Sequence, residues 1–243
     1  MYRSQTLSRA VPAALAGALV VVLTGCFSGS SGAAAQQGKA APSTSAAKAV
    51  QPAPAPPPPS PEPAPTKTST RTQTSSLSIP SIGLKDLKVV PYEGTTDDWP
   101  GTRIQNKGVA ASPYGESGGV GPGEVGNYLV TAHRISYGGP LNNLPAVEKG
   151  DSVLVASGGK VYEYKITETR ETSFRSERSL AEQRAAVPGQ PGQKATEAMI
   201  TISTCATPED NADGNFWRDD RGNPEHRIDK VGVLAGTRDA PAP

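Results

Sequence analysis

The sequence predicts an all-β domain, a sandwich or a barrel, of about 160 residues. Three observations point there: a series of short runs rich in β-branched and aromatic residues, Gly- and Pro-rich turn segments between them, and little patterning with a 3.6-residue period.

The strand-like runs are residues 77–79, 87–90, 127–132, 152–156, 160–167, 198–204 and 230–235. In the fifth, Tyr162, Tyr164 and Ile166 alternate with Val161, Glu163 and Lys165, the period of a half-buried strand. Residues 179–186 are the best helix candidate, stopping before Pro188. Between Thr95 and Gly126 lies a long loop with Gly115, Gly118, Gly119, Gly121 and Gly123, which in a compact domain is mobile or functional. No helix start or Gly-Lys-Ser/Thr ending follows it, so it is neither a phosphate-cradling loop nor a dinucleotide fingerprint.

The folded region therefore runs over residues 77–236, with a disordered tail at 237–243. Ahead of it, residues 27–76 are mostly Ala, Pro, Ser, Thr and Gln, with Pro56-Pro57-Pro58-Pro59 at the centre. They bury too little apolar surface to offset their ordering entropy, so they read as an extended, disordered spacer. With 24 Pro, 26 Gly and only 35% hydrophobic residues, one core of medium size is the expectation. A net charge of +1, with no basic stripe, argues against a nucleic-acid partner.

Residues 1–26 have the layout of a secretory signal: basic Arg3 and Arg9, an apolar stretch over 10–23, then Leu23-Thr24-Gly25-Cys26. The apolar stretch falls short of the roughly 20 residues that span a bilayer as a helix. Its last four residues resemble a bacterial lipobox, whose cysteine is lipidated and becomes the new N-terminus; an uncleaved signal anchor is the alternative. Either places the remaining chain outside the cell membrane, and a lipidated Cys26 cannot form a disulfide with Cys205.

Cys205, at the end of a β-branched run, is then the lone thiol of an exported domain and a candidate nucleophile. His133 ends another strand-like run, where an imidazole can exchange protons or partner a thiolate. Arg227 precedes the last run and offers permanent charge and fixed donors for an oxyanion or a peptide carbonyl. Cys205, His133 and His226 lack the close paired spacing of a zinc site, so no metal or other cofactor is expected. The acidic cluster Glu209, Asp210 and Asp213 reads as solvated loop charge rather than as a calcium site.

Thr201-Ile202-Ser203-Thr204-Cys205 resembles the Thr-Leu-x-Thr-Cys signature of sortases, with Ile202 in place of leucine. Thr131-Ala132-His133 resembles the strand end that carries their histidine, and the order His, Cys, Arg also matches. Ile79-Pro80-Ser81-Ile82-Gly83 looks like the family's Ile-Pro-x-Ile start. Pro122-Gly123-Glu124-Val125-Gly126-Asn127 and Tyr137-Gly138 look most like class E.

The resemblance implies a closed barrel of about eight strands with short helices in its loops. It implies a cysteine transpeptidase that cuts a Leu-Pro-x-Thr-Gly or Leu-Ala-x-Thr-Gly type of sorting motif between threonine and glycine. Cys205 would form a thioacyl intermediate, resolved by an amine of a peptidoglycan precursor. His133 would carry the proton, and Arg227 would hold the substrate backbone and the developing oxyanion. Thr201 and Thr204 are further candidates for substrate contact near the thiol. Partners would be secreted proteins bearing the motif, with the enzyme tethered to the outer face of the membrane. A pilin-polymerising sortase and a non-catalytic wall-binding lipoprotein are the rival readings.

Overall fold

The computed structural model describes residues 69–241. The predicted signal segment, Cys26 and most of the predicted spacer lie outside the described residues.

Eight strands close into one barrel in the order β1-β2-β3-β4-β7-β8-β6-β5. They are β1 (Ser75–Ile79), β2 (Leu84–Glu93), β3 (Ala110–Tyr114), β4 (Gly126–Thr131), β5 (Ser152–Ser157), β6 (Lys160–Ser173), β7 (Ala198–Cys205) and β8 (His226–Asp239). Pairing is antiparallel except at β2–β3 and β4–β7, which run parallel. Alternate residues fill the interior: Leu77, Val89, Tyr128, Val130, Val153, Val155, Tyr164, Ile166, Ile200 and Ile202 form one buried cluster. Among the described residues, closure leaves no edge strand open to further pairing.

Short helices lie in the loops. Helix α1 (Trp99–Gln105) starts at Asp98, whose carboxylate accepts from the Gly101 N–H at 2.7 Å, and has Pro100 in its first turn. Helix α2 (Glu177–Arg184) is capped by Ser176, which accepts from the Ser179 N–H at 3.1 Å. Helix α3 (Thr207–Ala212) starts one residue beyond Cys205, with Ala206 between them.

Several boundaries differ from the sequence expectation. β1 begins at Ser75, inside the predicted spacer, and the residues before it are tied down. Ser69 and Arg71 donate to the Glu124 carboxylate, and Thr70 Oγ1 donates to the Pro122 carbonyl. β8 reaches Asp239, into the predicted tail, because β6 pairs with it from Lys160↔Asp239 to Ser173↔His226. These extensions are polar and carry no apolar alternation to announce them. The expected loop from Thr95 to Gly126 contains both α1 and β3. β3 is built from Ala110, Ala111, Ser112 and Pro113, residues of low strand preference, held by parallel pairing to β2.

Candidate active site

The register of three neighbouring strands places the candidate residues in one row. β4 and β7 pair in parallel up to Thr131↔Ser203, and the Ala132 N–H extends that ladder by donating to the Ser203 carbonyl at 3.3 Å. Two residues on from that pair, His133 stands beside Cys205. On the other side Cys205 is the direct antiparallel partner of Arg227. Because Tyr128, Val130, Ala132, Ile200 and Ile202 point into the core, the intervening positions point outward. His133, Cys205 and Arg227 therefore share the outer face of the wall.

Helices cover that face. Gln105 of α1 donates to Thr131 Oγ1 at 3.2 Å. Gln183 of α2 donates to Ser203 Oγ and to Asp229, which also accepts from Thr172 Oγ1 at 2.6 Å. Burial pushes the Asp229 carboxyl up, and these hydrogen bonds partly offset it.

At the uncovered end a cleft of about 480 Å³ opens over the thiol. Its lining includes His133, Cys205, Trp99, Ile135, Tyr137 and Asn223, and the first two of these apolar side chains, like Tyr137, are more than half exposed. Thr102, Asn106, Arg134, Ser136, Thr207 and Arg221 also line it, so polar and apolar groups share the cleft about equally. Arg227 does not line this cleft. It is 1% exposed and borders a smaller void that shares His133, Cys205 and Asn223 with the cleft.

Burial raises the Cys205 thiol above its ordinary range; Arg227 opposes the shift, Asp97 and Asp219 add to it, and Arg134 opposes it. Burial lowers the His133 imidazole, Arg227 lowers it further, and Asp97 pulls it back. Thiol and imidazole are thus both predominantly neutral near pH 7, and the charged pair is a minority form. His133 Nε2 bonds Asn106 Oδ1 at 2.8 Å, and its ring stacks on Tyr137 with centroids 5.2 Å apart. The thiol lies 4.0 Å from Asn223 Oδ1.

The guanidinium of Arg227 is largely committed. Nε and Nη2 each donate to Asp97 Oδ1 at 3.4 Å, and Nη1 donates to the Pro224 and His226 carbonyls at 3.0 and 3.2 Å. One Nη2 hydrogen of the five remains without a protein partner among the described residues. The group also sits 3.9 Å from the Phe174 ring centroid, a cation–π contact.

The other candidates fall elsewhere. Thr201 is buried and its hydroxyl donates to Asn127 Oδ1 at 2.9 Å. Thr204 is buried and donates to the Ala132 carbonyl at 2.8 Å. Neither lines the cleft, though Thr204 borders the smaller void beside Cys205 and Arg227, and both hydroxyl hydrogens are used in tying β7 to β4 and the residue after it. The acidic cluster is dispersed: Glu209 pairs with Arg134 and Asp210 with His226. Of the neighbouring arginines, Arg218 bonds the Trp217 carbonyl and Asn211, while Arg221 pairs with Asp219 and lies over Trp99.

A family model of the Sortase domain matches residues 77–217. The chain belongs to the sortase family. The matched span holds His133 and Cys205 and ends before Arg227. Sortases are a family of cysteine transpeptidases, and the eight-stranded barrel is their fold.

Solved sortase structures resemble it at low identity. The SrtA sortase from Actinomyces oris matches with TM-score 0.52 and 20% identity, over 72% of this chain and 86% of that one. Sortase E from Streptomyces avermitilis gives 0.50 and 23%, over 71% and 93%. Sortase E1 from Streptomyces coelicolor, with a tripeptide in its active site, gives 0.51 and 20%, over 70% and 93%. At such identities the likeness concerns the fold. No curated protein matches the chain.

Sequence reasoning did not single out Asp97, Asn106, Trp99 or Asn223. Asp97 and Trp99 lie in the stretch Asp97-Asp98-Trp99-Pro100, inside the segment expected to be a loop. Their approach to Arg227 and to the cleft arises only from barrel closure.

Proposed function

We propose that this sortase is an extracytoplasmic enzyme, held at the outer face of the membrane by its N-terminal segment, that transfers exported proteins to a cell-wall amine. Its substrate would be a C-terminal motif of the Leu-Pro-x-Thr-Gly or Leu-Ala-x-Thr-Gly type, the class E kind included. The observation that supports this reading is the row His133, Cys205, Arg227, of which His133 and Cys205 line the cleft while Arg227 is buried beside the thiol.

In this mechanism the Cys205 thiolate attacks the threonine carbonyl. The carbon–sulfur bond forms, the threonine–glycine C–N bond breaks, and the leaving glycine nitrogen takes a proton from the His133 imidazolium. An incoming amine then attacks the thioester, gives its proton back to His133, and the thiolate leaves. Because His133 Nε2 is engaged by Asn106, Nδ1 is the nitrogen available for both transfers. The unused Nη2 hydrogen of Arg227 is the donor for the carbonyl oxygen as it becomes an oxyanion. Aminolysis must outrun hydrolysis, and the partial burial of the thiol favours that by limiting water.

The test is direct. The soluble domain is incubated with a sorting-motif peptide and an amine, and a thioester on Cys205 that hydroxylamine releases is expected. Activity of a Cys205→Ala protein at the wild-type level would refute the proposal. A peptide panel varying the second motif position would separate the proline and alanine preferences.

A further inference from the structure

We propose that Asp97 and Asn106, at the two ends of α1, are positioning residues for the reaction: Asp97 fixes the Arg227 guanidinium and Asn106 fixes the His133 imidazole, one on each side of Cys205. This rests on the reading of those three residues given above.

Among the described residues neither side chain makes a hydrogen bond to any other partner. The cap of α1 is Asp98, so Asp97 is free of that role. Its Oδ1 takes both Arg227 hydrogens, while Oδ2 is buried with no partner among the described residues. Its backbone stands at φ +63°, in the left-handed region that a non-glycine residue enters at a cost. A buried, half-satisfied carboxylate on a strained residue lowers stability. What it secures is the guanidinium, docked edge-on by two donors and stacked on Phe174.

Asn106 presents the same pattern at the other end. The C-cap of α1 is made by its backbone N–H, which donates to the Ile104 and Thr102 carbonyls. Its side-chain oxygen meets His133 Nε2 at 2.8 Å. An amide oxygen only accepts, so Nε2 carries hydrogen and Nδ1 is left to exchange protons. α1 is itself pinned to the histidine's strand through Gln105 and Thr131. One seven-residue helix thus sets both groups that flank the thiol.

The charged and titratable groups that act on Cys205 are Arg227 from β8, Arg134 and His133 from the segment after β4, Asp219 from the segment before β8, and Asp97 from the start of α1. Arg221 also lines the cleft. Asp97 raises both the thiol and the His133 imidazole. Neutralising it moves both titrations to lower pH, a change that mere loosening of α1 does not produce.

The variants are Asp97→Asn, Asn106→Ala and Asn106→Asp. They are compared with wild type in peptide transfer, in the pH profile of Cys205 alkylation by iodoacetamide, and in the NMR titration of His133. Asn106→Ala is expected to lower kcat on the order of 10²-fold with little change in KM, since misplacing a catalytic group costs that much. Asn106→Asp, which keeps an acceptor oxygen, is expected to restore most of kcat and to move the His133 titration upward. Asp97→Asn is expected to lower kcat and to shift both the alkylation profile and the His133 titration towards acid.

Folded variants with unchanged kcat and unmoved titrations would overturn the proposal. So would an Asp97→Asn protein that loses activity while both titrations stay in place, because that assigns the residue a structural role. If wild type itself transfers no sorting-motif peptide, the proposed function fails, and the alkylation profile and His133 titration still decide whether α1 positions the pair.

Discussion

Arg227 is the residue on which the chemistry and the packing make opposing demands. A buried cation needs its hydrogens satisfied, yet an oxyanion donor needs one to spare. Its two backbone carbonyls, Asp97 and the Phe174 face supply the first requirement, and under the proposed function the remaining Nη2 hydrogen is assigned the second. Lysine has no planar fork and cannot reproduce this arrangement. Arg227→Lys is therefore expected to lower kcat for peptide transfer by roughly 10²- to 10³-fold, the loss usual when an oxyanion donor is removed. The guanidinium also draws the thiol down against its burial. Its removal in Arg227→Gln is accordingly expected to move the pH profile of Cys205 alkylation further alkaline, opposite in sign to Asp97→Asn. A profile that does not move would mean that the guanidinium is too far from the sulfur to act on it.

At the scale of elements, α1 joins the wall to the site, and its own seating is tight. Gly101 lies in the middle of it, where alanine would ordinarily be worth about 1 kcal/mol in helix preference. A Cβ there would stand 2.3 Å from Tyr92 Oη and 2.8 Å from its Cζ. Tyr92 cannot easily yield, because it is buried and its hydroxyl donates to the Thr95 carbonyl at 2.6 Å. Gly101→Ala is expected to destabilise the domain despite the helix preference, by about 1–3 kcal/mol as for other overpacked sites. Urea unfolding would show it, with a fall in kcat as α1 lifts from His133 and Arg227. The same helix shows where sequence reading stops. β4 and β7 were legible because Leu129, Val130, Ile200 and Ile202 form apolar runs, and their ends carry His133 and Cys205. α1 and β3 were not, because Trp99-Pro100-Gly101 and Ala110-Ala111-Ser112-Pro113 have weak local preference and owe their form to Tyr92, Thr131 and the β2 ladder. The positioning residues Asp97 and Asn106 were hidden with them.

The whole molecule has only two histidines, and the barrel treats them oppositely. Burial and the Arg227 charge hold His133 below the ordinary value of 6.5. For His226 burial alone would act the same way, but the hydrogen bond and charge of Asp210, with Glu171 and Glu225 nearby, outweigh it and raise the imidazole above 6.5. Linkage turns these directions into a stability curve. Between the folded pKa of His133 and 6.5 the unfolded chain binds the extra proton, so stability rises with pH. Above 6.5 the folded chain holds the extra proton on His226, so the stability it contributes is fully present below 6.5 and is lost as pH rises through its folded pKa. The two terms together make a shallow maximum near the ordinary histidine value. Thermal unfolding across pH 5–9 is expected to trace it. His226→Gln should remove the descent on the alkaline side, and His133→Ala should remove the ascent on the acid side. The variant assignments are the sensitive part: a His226→Gln protein that keeps the alkaline descent would show that the Asp210 contact does not hold the proton, and that α3 is fastened to β8 by the His226 N–H bond to Asp210 alone.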